Sequence, residues 1–136
     1  MKLSDVKNEL RAFIIANLSG ITEDDFAYED ESWSIEPGEI KIRESFIGSD
    51  DIDVTDEAFN RIISMEYAIF QTNDGTNLVD DLIFDFAEIF KFEGGALNID
   101  NEVELVPIKT SLSSVRDNAY RGRSFLIFLQ IFNANK

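Results

Sequence analysis

The stretch NDGTNLVDDLIFDFAEIFKF, residues 73–92, decides how the rest of the chain folds. Its apolar residues recur at intervals of three and four, which is typical of a helix with one wide apolar stripe. These residues are Leu78, Val79, Leu82, Ile83, Phe86, Ile89 and Phe90. Because so wide a stripe has to be covered, and because strand-like segments flank it, we predict a core helix that packs on a sheet.

The ends of this helix carry recognisable signals. Thr76 and Asn77 precede the first periodic residue, and a side-chain oxygen at either position can accept a hydrogen bond from the first helical turn. Gly94 and Gly95 follow the last periodic residue, as is common after a helix C-terminus. The sequence therefore predicts a helix that begins near Asn77 and ends before Gly94.

Phe84 does not belong to the apolar stripe. On a helical wheel it falls among Asp80, Asp81 and Glu88. Our hypothesis is that Phe84 contacts another protein or a covering loop.

Earlier segments add a helix and two strands. Residues 4–18 have the same helical periodicity and end before Gly20. Residues 39–47 and 61–71 alternate between apolar and polar side chains, which is typical of half-buried strands. The polar residues 48–60 lie between them, so we predict a long β-hairpin with an extended tip.

The last third predicts two more strands. A short strand lies within residues 96–108, and Pro107 indicates an edge position or the end of that strand. Residues 109–122 are polar and predict a loop, whereas residues 123–132 are apolar on both faces, as in the middle of a sheet or against a partner. The prediction is one α+β domain, residues 1–136, in which two helices pack on a mostly antiparallel or mixed sheet of four to five strands.

Composition argues against catalysis. The chain has no cysteine and no histidine, which removes thiol chemistry, the usual general base and the commonest metal ligands. A string like that of a calcium loop, Asp51-x-Asp53-x-Thr55, has Asp56 and Ile62 where such a loop needs Gly and Glu. We therefore predict no enzyme activity, no cofactor and no metal site.

Charge is large and unevenly distributed. The net charge of −15 argues against nucleic acid or an anionic membrane as a partner. Residues 23–57 contain 14 acidic and 2 basic side chains, whereas residues 107–136 contain 5 basic and 1 acidic. Oppositely charged ends can attract copies head to tail, and such contacts close into rings when the rotation permits. The predicted interface residues are Asp50, Asp51, Asp53, Asp56, Phe84, Arg116, Arg121 and Arg123.

Targeting signals are not apparent. The N-terminus lacks a long apolar run, and no segment is long and apolar enough to span a bilayer. We expect a soluble protein that is not exported through a signal peptide.

The order of these segments resembles the tail terminator (tail completion) proteins of long-tailed bacteriophages. The resemblance rests on the first helix, on FAYEDESW (residues 26–33), on the strand–loop–strand unit, on DGTNLVDDLIFDFAEIF (residues 74–90) and on VELVPIKTSLSSV (residues 103–115) before a last apolar strand. It implies a small α+β subunit that forms a six-membered ring on the tail tube, stops tube polymerisation and joins the tail to the neck or connector. By position, residues 48–60 would be the hairpin loop of that family, and residues 111–122 the loop before the last strand. The implied location is the virion tail at its junction with the neck, reached by assembly in the host cytoplasm.

Two other classes of protein fit the composition. An acidic decoy would mimic DNA phosphates and block a DNA-binding enzyme, and the net charge favours it. A secretion-chaperone-like dimer would bind extended peptides, with the two-faced last strand at its dimer edge. Oligomer size distinguishes the three: a ring, a monomer or a dimer.

Overall fold

The computed structural model describes residues 3–27, 34–54, 59–73, 75–90, 97–99, 103–117 and 120–132, and for residues 50–54, 59–60, 97–99, 103–117 and 132 the backbone alone. It shows an α+β arrangement of two helices and one sheet. In chain order the elements are α1 (Leu3–Asn17), a 3-10 turn (Glu23–Asp25), β1 (Phe26–Ala27), β2 (Lys41–Val54), β3 (Phe59–Thr72), α2 (Leu78–Ile89), β4 (Leu97–Ile99), β5 (Val103–Asp117) and β6 (Tyr120–Phe132).

The sheet has the strand order β1-β2-β3-β6-β5-β4. Four long strands form its body, and two short strands, β1 and β4, lie at its ends. β1 pairs with β2 in parallel, whereas every other neighbouring pair is antiparallel, so the sheet is mixed as predicted. β6 lies between β3 and β5, which confirms the central position that its two apolar faces predicted.

The helix α2 packs on β3 and β6 through an aromatic cluster. Phe86 contacts Tyr67 of β3 and Phe125 of β6, with ring centroids 5.5 Å apart in both pairs. Phe90 stacks on Phe125 at 5.3 Å. All four rings are fully or almost fully buried, so each contributes its whole apolar area to the core. The predicted core helix is confirmed.

The helix α1 completes the same layer. Val6, Leu10 and Ile14 recur on one face and are buried, because that face lies on the shared hydrophobic core. Phe13 reaches α2, where its ring lies 5.4 Å from that of Phe90. The helix is followed by Gly20, whose φ of +83° is the left-handed conformation that glycine adopts without strain.

The start of α2 is capped differently from the prediction. The N-cap residue is Asn77, but its side chain makes no capping hydrogen bond. Instead the Val79 N–H donates to Oε1 of Gln71, a buried residue of β3, at 2.8 Å. Nε2 of Gln71 donates to the Thr76 carbonyl at 2.9 Å, so one buried amide ties the sheet to the helix.

Two predicted loops are largely strand. The predicted loop of residues 48–60 was wrong in extent, because β2 continues to Val54 and β3 begins at Phe59, with register shifts near Gly48 and Asp53. The predicted loop of residues 109–122, and the loop that the resemblance placed at 111–122, were wrong as well, because β5 runs to Asp117 and pairs with β6 from Tyr120 onward. A long antiparallel partner satisfies the backbone groups of polar residues that have little strand propensity of their own. The connection at residues 55–58 lies outside the described residues, so the hairpin itself stays a prediction.

The face of the sheet opposite the helices is covered at one end. Ile35 packs there against Ala68 and Phe70, with Tyr120 alongside. Gly122 lies opposite Phe70 in the register, and a Cβ on Gly122 would meet the Phe70 ring at 2.7 Å and the Ile69 carbonyl oxygen at 2.9 Å. A side chain at this position therefore cannot fit without moving backbone.

Candidate interaction surface

The outward face of α2 combines one exposed aromatic ring with acidic neighbours. Phe84 is 71% exposed, the largest exposure among the described large hydrophobic residues. Asp81, Asp85 and Glu88 are exposed on the same helix, which carries no basic residue. The outward orientation predicted for Phe84 is confirmed, while its contact with a partner stays a prediction. A complementary surface would offer an apolar pocket with basic residues around it.

The arginines Arg121 and Arg123 bind the first turn of α2. Arg123 Nε donates to Asp80 Oδ1 at 2.8 Å, and Arg121 donates to the Thr76 carbonyl and, at 3.4 Å, to Asn77 Oδ1. The hydrogen bond from Arg123 lowers the pKa of Asp80, and the charges of Arg123 and Arg121 act in the same direction. Both arginines were predicted as interface residues, and the structure places them in contacts within the chain.

The remaining predicted interface residues lie near opposite edges of the sheet. Asp50, Asp51 and Asp53 belong to β2, and Asp56 lies outside the described residues. Arg116 belongs to β5, opposite Arg121 in the register. In the strand order, β2 and β5 are separated by β3 and β6. The fold therefore brings Asp50, Asp51 and Asp53 toward one edge of the sheet and Arg116 toward the other, and does not join these residues in one site.

A buried ion pair beneath α1 was missed at the level of sequence. Arg11 donates to Glu44 Oε1 at 3.1 Å and to Glu23 Oε1 at 2.6 Å, and its guanidinium lies 5.0 Å from the centre of the Phe26 ring. The Glu44 side chain is only 2% exposed, compared with 65% for Glu23. The alternation of β2 signals this position, because Glu44 has the same parity as the buried Ile42.

Burial dominates the titration of this cluster. It raises the pKa of Glu44 above its ordinary value, although the Arg11 charge opposes the shift. Burial also raises the pKa of Tyr67, the cross-strand neighbour of Glu44, and the Glu44 charge adds to that shift. Tyr67 Oη and Glu44 Oε2 are both buried, and neither has a hydrogen-bond partner among the described residues. The two side chains therefore influence each other mainly through charge in the core.

A cavity of about 70 Å³ lies near the start of α1. It is lined by Leu3, Val6, Phe46, Ser49, Arg61, Ile63 and Ile131, most of which are apolar. Within the described part of the chain, no three acidic side chains come together as a metal site would require.

No family model matches the chain, and no curated protein matches it either. Neither described helix is long and apolar enough to cross a membrane.

Proposed function

We propose that this chain is a structural subunit of a long-tailed bacteriophage, which caps the tail tube as a ring. The ring ends polymerisation of the tube and provides the surface that joins the neck or connector. The observation that carries the proposal is the separation of charge across one sheet. β2 comes from the acidic stretch and lies toward one edge of the sheet, whereas most of β5 comes from the basic stretch and lies toward the other edge. This arrangement favours head-to-tail contacts between copies.

The order of elements supports the same proposal. A helix, a pair of long strands, a second helix and a final group of strands follow each other along the chain, as in the family that the sequence resembles. A subunit of this kind needs a rigid scaffold and binding surfaces, and it needs no reactive group. Its partners would be further copies of itself, the tail tube protein and a neck or connector protein. Its place would be the tail–neck junction of the virion, with assembly in the host cytoplasm.

An elongation assay tests the capping activity directly. Tail tube protein of the same virus is polymerised with and without the purified chain, and tube lengths are measured by negative-stain electron microscopy. A cap present at a small fraction of the tube protein concentration arrests growth, so tubes become shorter as the chain is added. Unchanged tube lengths, with no protein bound to tube ends, would refute the proposal. Gel filtration in low and high salt then separates a ring from the monomer of a DNA mimic and from the dimer of a chaperone-like protein.

Phe84 provides a residue-level test of the exposed helix surface. We expect Phe84→Ser to leave the unfolding free energy within about 0.5 kcal/mol of the wild type, because the ring is already exposed. If Phe84 contacts a partner, the same variant weakens ring formation or tube binding. Ala16→Ser, an exposed substitution on α1, is the matched control and should change neither property. A Phe84→Ser variant with normal assembly would remove Phe84 from the interface.

A further inference from the structure

Both long edges of the sheet lack a partner strand over most of their length among the described residues. On one side, β1 covers only Ile42 and Arg43 of β2. On the other, β4 covers only residues 103–105 of β5. The rest of β2 and the rest of β5 each present one row of backbone polar groups away from the sheet, in which Pro107 of β5 has no N–H to donate. Such edges are templates for pairing with another strand.

Strand direction permits these two edges to pair with each other. β2 is antiparallel to β3, β3 to β6, and β6 to β5, so β2 and β5 run in opposite directions. A rotation about an axis roughly parallel to the strands brings β5 of one copy beside β2 of the next without reversing either. The new pair is then antiparallel, like the three longest pairs within the sheet.

The register shows which residues would meet. Across the sheet, Ser45 of β2 pairs with Glu66 of β3, which pairs with Leu126 of β6, which pairs with Ser111 of β5. Ser45 and Ser111 are therefore at the same level along the strands, and so are Gly48 and Lys109. Copies related by rotation alone would therefore bring residues 45–50 of one chain level with residues 106–111 of the next. Both stretches lie beyond the cover of β1 and β4.

The charges of the two stretches are complementary. Residues 45–50 of β2 carry Asp50 and no basic residue. Asp51 is level with Leu105, in the part of β5 that β4 covers, and so lies beyond this stretch. The facing stretch of β5 carries Lys109 and no acidic residue from Val106 to Val115. Two β2 edges would repel each other, so the opposite-edge contact is electrostatically preferred over the like-edge contact.

We propose that the sheet continues from one copy to the next, through antiparallel pairing of β2 residues 45–50 with β5 residues 106–111 of a neighbouring copy. The inference rests on the proposed function for its closed ring, and it adds the strand-to-strand contact that builds that ring. The contact is heterologous, because each copy uses a different edge toward each neighbour. The occupant of each open edge is thus a second copy of this chain.

Cysteine cross-linking tests the contact cleanly, since the natural chain has no cysteine. Ser45→Cys and Ser111→Cys are combined in one chain and oxidised. Within one copy the two positions are three strand spacings apart, roughly 14 Å, which is beyond the Cα separation of about 7 Å that a disulfide tolerates. Any disulfide between them must therefore join two copies. We expect the monomer band to be lost into a ladder of oligomers on a non-reducing gel.

Controls separate a specific contact from collision. Ser45→Cys with Ser19→Cys, which lies after α1, should give little ladder. The two single variants Ser45→Cys and Ser111→Cys should each stay largely monomeric alone, and should give a heterodimer when mixed. Lys109→Glu in the double-cysteine chain should reduce the ladder, and adding Asp50→Lys should restore it. Circular dichroism and thermal unfolding establish that each variant is folded.

The outcomes decide between the two proposals. A folded double-cysteine variant whose ladder does not exceed that of the Ser19→Cys control overturns the edge pairing. If that variant still caps tubes, the capping function stands and the ring is built through another surface. A strong ladder without any effect on tube elongation supports the edge pairing and refutes the capping function.

Discussion

Two ion pairs of this molecule have the same chemistry and opposite surroundings. Arg11 binds Glu44 beneath α1, where the two side chains are 11% and 2% exposed. Arg123 binds Asp80 at the start of α2, where they are 42% and 35% exposed. Burial raises the pKa of Glu44, whereas the hydrogen bond from Arg123 lowers the pKa of Asp80. Breaking the buried pair should therefore cost much of the folding stability, whereas breaking the exposed pair should cost little.

The same contrast extends to other residues. Polar and tightly packed positions under the helices or in the middle of the sheet carry the stability of the fold. Similar residues at the margins of the sheet are more exposed, so we expect their substitution to cost less stability. Paired substitutions, one inside and one at the margin, therefore test whether this division holds.

The largest effect is expected for Arg11→Met. It removes the charge that faces a buried carboxylate, and breaking a buried pair in this way costs about 3 kcal/mol or more. Urea unfolding at neutral pH should show that loss as a lower transition midpoint. In the double variant Arg11→Met, Glu44→Leu the unpaired charge is gone, so much of the stability should return. A double variant as unstable as Arg11→Met would show that packing, and not the buried charge, causes the loss.

The pH dependence of Arg11→Met follows from the raised pKa of Glu44. A group with a raised pKa favours the fold below its ordinary value of 4.5, and this contribution is lost as the pH rises through the raised pKa. Without Arg11 the pKa rises further, so the defect of the variant should be largest at high pH and shrink as the pH falls. Unfolding midpoints of wild type and variant between about pH 5 and 8 measure this. A defect that grows on acidification would contradict it.

Gly122→Ala should have the next largest effect. The added methyl group would lie within 3.0 Å of the Phe70 ring and the Ile69 carbonyl, so the strands must shift, at a cost of about 1–3 kcal/mol. Gly48→Ala on β2 is the matched control, because a Cβ at that position would have no neighbouring atom within 4 Å. We expect thermal unfolding to show a lower Tm for Gly122→Ala alone. Equal shifts for both variants would mean that the Phe70–Gly122 contact does not constrain the sheet.

Gln71→Leu tests the buried cap of α2. The variant leaves the Val79 N–H and the Thr76 carbonyl without the amide that binds them, so a loss of about 1–2 kcal/mol is expected. Gln130→Leu on β6 is the control, since that side chain is half-buried and lies on the other face of the sheet. Hydrogen exchange should be faster in the first turn of α2 in Gln71→Leu only. Unchanged exchange there would show that Gln71 does not hold the helix start.

Arg123→Gln should have the smallest effect on stability, less than about 1 kcal/mol, because the pair with Asp80 is partly exposed to solvent. A lowered pKa contributes stability above the ordinary value of 3.8, and this is lost as the pH falls through the lowered pKa. The difference between variant and wild type should therefore vanish in acid and shrink in high salt. Urea unfolding at several pH values and salt concentrations provides the measurement. If Arg123→Gln lowered the unfolding free energy as much as Arg11→Met does, burial would not be what makes the two ion pairs differ.

Hydrophobic periodicity predicted the helices and strands that bury one face and expose the other. The stripe of α2, the outward position of Phe84 and the inward residues of β3 could all be read from spacing, because burial of one face fixes the register. Parity along the strands also signals Glu44 and Gln71, which have the same parity as buried apolar neighbours. Their partners could not be read, since Arg11 is 33 residues from Glu44 and reaches it only in the folded chain.

The polar strand segments were not predictable by the same means. Residues 48–54 and 109–117 have the composition of loops, and only pairing with long neighbours makes them strands. The candidate surface was affected in the same way. The charge pattern predicted Arg121 and Arg123 as interface residues, which stays a prediction, but it gave no sign of their contacts at the start of α2.

The most direct test of a ring-forming cap is the symmetry of the particle at the end of the tail tube. Tubes mixed with the chain are imaged by electron microscopy, and end views are averaged without imposed symmetry. A six-membered ring seated on the tube end, with density continuous between neighbouring subunits, is the result that we predict. Bare tube ends, with the chain remaining monomeric in solution at the same concentration, would contradict it.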